Sequence, residues 1–104
     1  MWIASANGFV LIETAEEGKG NIMIKAFCKE DFVGMVDQKR ISAGKDPCGY
    51  FFAKIAKQEL ADILVKLVKS VDYENFEDAI SSHPIQVRKK DVYVRFLKDV
   101  GALY

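Results

Sequence analysis

The chain has 104 residues, half of them apolar, and carries 15 Lys and Arg against 15 Asp and Glu, a formal net charge of zero. That length makes one small domain, residues 1–104, around a single core, and excludes a multidomain enzyme. The apolar fraction excludes a disordered chain, and neutrality argues against nonspecific attraction to nucleic acid or to an anionic membrane.

Residues 2–5 and 9–14 are apolar and β-branched runs joined by Ala6-Asn7-Gly8. Asn-Gly between such runs predicts a hairpin. The charged, glycine-rich stretch from Glu16 to Asn21 reads as a turn into a third strand, Ile22 to Phe27. There Ile22, Ile24 and Ala26 share one face, and Met23, Lys25 and Phe27 the other. The period then changes. Phe32, Met35 and Val36 are spaced for one helical face, with Glu30 and Asp31 in the first turn, so a short helix is predicted over 29–38. A polar loop from Lys39 to Gly49 leads into a fourth strand, Tyr50 to Ala56. Its row Phe51, Ala53, Ile55 is expected to be buried, with Tyr50, Phe52, Lys54 and Ala56 on the other face.

The strongest periodicity lies in 57–71, where Leu60, Ile63, Leu64, Leu67, Val68 and Val71 form one helical stripe opposite Gln58, Glu59, Asp62, Lys66 and Lys69. A short helix follows, capped by Asp72 or Asn75 and stopped by Pro84. The last helix, Lys89 to Ala102, aligns Val92, Phe96, Val100 and Leu103. The order β-β-β-α-β-α-α-α differs from the βαββαβ of a ferredoxin-like fold. Its simplest assembly is an α+β, two-layer fold: an antiparallel sheet of three to four strands with helices packed on one face.

Several segments together are similar to a family of uncharacterised bacterial and phage proteins of about this length. They are Met1-Trp2-Ile3 followed by Gly8-Phe9, the step Asp31-Phe32, the strand and helix start from Tyr50 to Leu60, Asp72-Tyr73-Glu74-Asn75-Phe76, and a closing helix with Tyr93. The resemblance spans nearly the whole chain and implies a shared fold, with no activity attached. The fourth strand departs from the pattern, having Tyr50-Phe51-Phe52-Ala53-Lys54 where the family carries an arginine between tyrosines, and the last helix lacks the family's Trp.

No catalytic residues are assigned. The single histidine, His83, lies in Ser81-Ser82-His83-Pro84 without the turn that presents a nucleophilic serine, and reads as exposed or capping. A hydrolase built on His83 with Ser82 or Cys28 is the least favoured reading. No metal site is expected, since zinc needs convergent Cys and His, and Asp72, Glu74, Glu77 and Asp78 point in different directions along a helix start. Gly18-Lys19-Gly20 precedes a strand, where a phosphate cradle would precede a helix. No cofactor is expected. Two cysteines twenty positions apart suit a reducing cytoplasm, and no stretch is long enough to span a membrane.

Surface chemistry is more informative. Acid-rich blocks (1–37 and 59–82) alternate with basic ones (38–58 and 83–104). Lys39, Arg40 and Lys45 in the long loop, with Arg88, Lys89, Lys90 and Arg95 around the last helix, make a phosphate or nucleic-acid surface if they meet, and aromatics beside them would stack on bases. The competing reading is that the blocks complement one another through weak surface pairs. Strand four carries aromatics on both faces, so a sheet covered on one side either shows Tyr50 and Phe52 to solvent or has them covered by the hairpin or last helix. The expected function is a non-enzymatic protein-interaction module, a small inhibitor or regulator of the phage or mobile-element type. Trp2, Tyr50, Phe52 and Tyr93 are its partner-binding residues, and its partner is another protein or a second copy. The alternative is binding of a nucleotide or nucleic acid through the basic residues.

Overall fold

The computed structural model describes residues 1–15, 20–42 and 44–104. The turn expected over 16–19, including Gly18 and Lys19, lies outside the described residues. The chain forms two compact units, Met1–Val71 and Asp72–Tyr104.

In the first unit four antiparallel strands, β1 (Trp2–Ser5), β2 (Gly8–Thr14), β3 (Asn21–Ala26) and β4 (Phe51–Ala56), stand in the order β1-β2-β3-β4. The register pairs Ile3 with Val10, Ile12 with Ile24, and Ile24 with Ala53. Because side chains alternate, one face therefore collects Val10, Ile12, Ile22, Ile24, Ala26, Ala53 and Ile55, all buried. Helix α1 (Lys57–Lys69) and the 28–41 segment supply Leu60, Phe32, Met35, Val36 and Ile41 to the same cluster. This is the expected two-layer α+β arrangement. Burying a side chain as fully as Ile24 or Phe32 contributes about 1.5–3 kcal/mol.

Three local details differ from the sequence reading. The hairpin turn is Ala6-Asn7, and Gly8 already pairs with Ser5 as the first residue of β2. Gly8 has φ +153°, and a Cβ there would stand 2.6 Å from the Asp31 Cα. The glycine thus serves a close approach of the 28–32 segment more than the turn itself. Second, the predicted helix over 29–38 is two 3₁₀ turns, Lys29–Phe32 and Gln38–Arg40. Val33 leaves helical geometry at ψ 129° and Gly34 takes φ +81°, which breaks the helix while Phe32, Met35 and Val36 still reach the core. Third, the stripe of α1 is buried only at its start. Leu60 is buried and Ile63, Leu64 and Leu67 partly so, whereas Val68 and Val71 are exposed.

The second unit holds α2 (Phe76–Ser82), a 3₁₀ turn (Gln86–Lys89) and α3 (Lys90–Gly101). Asn75 caps α2 by accepting from the Asp78 N–H at 3.0 Å. Ile80, Gln86 and Tyr93 are buried, and Phe76 meets Tyr93 edge to face with ring centroids 4.9 Å apart. The stripe expected to pack α3 is reversed: Tyr93 is the buried residue, while Val92, Phe96 and Leu103 are exposed.

Candidate functional site

The second face of the sheet carries the other alternation. Trp2, Leu11, Lys25 and Phe52 lie in one row across all four strands, beside a row of Glu13, Met23 and Lys54. None of these residues is buried. Three aromatic rings gather here: Phe27 stacks on Tyr50 with centroids 4.2 Å apart, and Trp2 lies 6.3 Å from Tyr50. Trp2 and Phe27 are both more than half exposed, at 55% and 58%. Such a solvent-facing aromatic cluster is the kind of surface that marks an interaction site.

Polar contacts hold the cluster in shape. The Asp46 carboxylate accepts from the N–H groups of Cys48 and Tyr50, both at 2.9 Å, and the Asp46 N–H donates to the Tyr50 carbonyl at 2.7 Å. Its second oxygen lies 3.4 Å from the Lys25 ammonium, which is also 3.2 Å from Glu13 and 5.9 Å from the centre of the Tyr50 ring. The Tyr50 N–H holds the Asp46 carboxyl below the usual carboxylate range, against partial burial and with help from Cys48 and Lys25. Burial works against the Lys25 charge, yet Glu13 and Asp46 outweigh it and raise its pKa. The fold therefore pre-orders Tyr50.

Of the aromatic residues singled out in the sequence, Trp2 and Tyr50 meet, and Phe52 lies on the same face. Tyr93 does not belong to a surface: it is 6% exposed and packed on Phe76, so its place on the partner-binding surface is corrected. Phe27, Asp46 and Glu13 were missed, although alternation from Lys25 places Phe27 on this face.

The basic residues divide between the units, Lys39, Arg40 and Lys45 in the first and Arg88, Lys89, Lys90 and Arg95 in the second. Arg40 is held in a two-pronged pair by Glu59, with a 3.0 Å bond from Nη2 and a shorter one from Nη1, and its Nη2 also donates to the Lys54 carbonyl at 3.4 Å. The hydrogen bond that Arg40 donates to the Glu59 carboxylate raises the Arg40 pKa and lowers that of Glu59. Lys45 lies 5.1 Å above the Phe51 ring.

His83 Nδ1 accepts from the N–H groups of Ile85 and Gln86 at 3.1 and 3.0 Å, which is a capping role. The Cys28 thiol bonds to Glu30. Among the described residues no group of three or more His, Cys, Asp or Glu is arranged to hold a metal ion, and no helix is long and apolar enough to cross a membrane. No family model, curated protein or solved structure matches the chain.

Proposed function

We propose that this chain is a non-enzymatic protein-interaction module, a small inhibitor or regulator, that docks through the open face of its sheet. The observation that carries the reading is the exposed cluster of Trp2, Phe27 and Tyr50, fixed by Asp46 and Lys25 on a face that buries none of its side chains. Rigid aromatic side chains dominate binding energy at protein interfaces, and those on a pre-ordered surface lose little freedom on docking. The employment of His83 as a cap and of Arg40 as a partner of Glu59 supports binding over catalysis or phosphate recognition.

The test compares affinity capture by the wild-type protein with capture by Phe27→Ala and Tyr50→Ala, each first verified to melt as a folded protein. A partner retained by the wild type and lost by both variants is the expected result. A partner retained equally by all three, or none retained by any, overturns the reading.

A further inference from the structure

The sheet has two edges, and the fold treats them differently. In an antiparallel ladder, residues that point both N–H and C=O at the neighbouring strand alternate with residues that point both away. Along β4 the outward carbonyls are those of Tyr50, Phe52 and Lys54, and each has a donor. The Asp46 N–H reaches Tyr50 at 2.7 Å, the Ser42 N–H reaches Phe52 at 2.8 Å, and Arg40 reaches Lys54 at 3.4 Å. The carbonyls of that edge are covered.

The β1 edge is open. Met1 and Ile12 exchange both of their bonds, at 2.9 and 2.8 Å, so Ile3 and Ser5 also face β2, and Trp2 and Ala4 point their backbone groups outward. Among the described residues, none bonds to those outward groups. Natural sheets guard such an edge by keeping it very short, by covering it, or with charge, proline or a bulge; shortness is the one guard β1, at four residues, has. The strand Trp-Ile-Ala-Ser has neither charge nor proline, and its register with β2 runs without interruption.

We propose that β1 is the seam of a symmetric dimer, in which a second copy of the chain adds its own β1 antiparallel and the two sheets become one. The strand is complementary to itself in the register that pairs Trp2 with the partner's Ala4 about a two-fold axis at Ile3. Every outward N–H and C=O of Trp2 and Ala4 then has a partner, in both copies. The large indole lies opposite a methyl group, Ile3 meets its own counterpart on the core face, and no like charges oppose each other. An interface this short belongs to the weak, reversible class, so the dimer forms and dissociates with concentration. The inference depends on backbone pairing and is separate from docking on the aromatic face: Tyr50→Ala, which tests that reading, leaves β1 unaltered.

Sedimentation of the full chain from micromolar to millimolar concentration tests it. The wild type is expected to pass from monomer to dimer. Ala4→Pro removes an N–H that the pairing with β2 does not use, a position where an edge strand accepts proline, and is expected to stay monomeric throughout while its melting remains cooperative. Should that variant not fold, amide exchange in the wild type decides: the Trp2 and Ala4 N–H groups are expected to exchange more slowly as concentration rises. A wild type that stays monomeric, a folded Ala4→Pro that still dimerises, or exchange at Trp2 and Ala4 independent of concentration overturns the proposal.

Discussion

Gly8 and Asp31 show how much of the hairpin depends on one missing methyl group. Asp31 is 3% exposed, and its carboxylate accepts the Phe9 N–H at 3.3 Å, so the 28–32 segment is drawn against the start of β2. A Cβ at Gly8 would meet Asp31 backbone, which a side-chain rotation cannot relieve. Gly8→Ala is expected to destabilise the protein by about 1–3 kcal/mol, read as a lower urea midpoint. Asp46 makes a different prediction, one that depends on pH. Its carboxyl titrates lower in the folded chain than in the unfolded one, so its stabilising contribution is full above the ordinary carboxylate value of about 4 and is lost as pH falls through the depressed one. Wild type is therefore expected to be more stable than Asp46→Asn at neutral pH, with the gap closing in acid. Denaturation curves from neutral pH down to strong acid check this, and a gap that does not change with pH would mean that the Asp46 charge is not its source.

Helix α1 separates amphipathic pattern from burial. Leu60 and Val68 fall on the same stripe, yet the first is 6% exposed and the second 73%. Leu60→Ala is expected to cost about 2–5 kcal/mol, as cavities in packed cores do, whereas Val68→Ser should stay within about 0.5 kcal/mol. Chemical denaturation of the two variants measures the difference. In α2 the periodicity is too short to mark a start, and the cap decides it. Asn75→Ala removes the acceptor for the Asp78 N–H and is expected to cost about 1 kcal/mol in the second unit, while Asn75→Ser, which keeps a capping oxygen, recovers most of it. The stretch over 29–38 shows the opposite case: its apolar spacing located the core residues and misnamed the backbone, because Phe32, Met35 and Val36 can all point inward from a 3₁₀ turn followed by a bend at Gly34.

At the scale of the molecule, zero net charge and the exposed aromatic cluster bear on how the proposed partner would be found. Without a long-range field to steer the encounter, association depends on short-range apolar contact. Binding through Trp2, Phe27 and Tyr50 is expected to change little between low and physiological salt. Nucleic-acid binding through Lys39, Lys45 and the 88–95 group would instead fall steeply as displaced counterions are restored. Titrations of a captured partner at two ionic strengths, followed by the fluorescence of the single tryptophan, distinguish the two. In the second unit, Phe96, Leu97 and Leu103 are each well exposed.

Periodicity alone determined which strand faces are apolar, where α1 runs, and that Trp2, Tyr50 and Phe52 are candidates for a surface, because alternation and helical spacing are local properties of the chain. Only the tertiary structure decided that Tyr93 is buried while Phe96 is not, that Arg40 is held by Glu59, and that the outward carbonyls of β4 are covered while those of β1 are not. Those outcomes depend on which segments meet across 19 residues in the Arg40–Glu59 pair and 22 in the Phe9–Asp31 bond. Contacts at such separations are set by packing and hydrogen-bond satisfaction in three dimensions, which the spacing of neighbours along the chain does not encode.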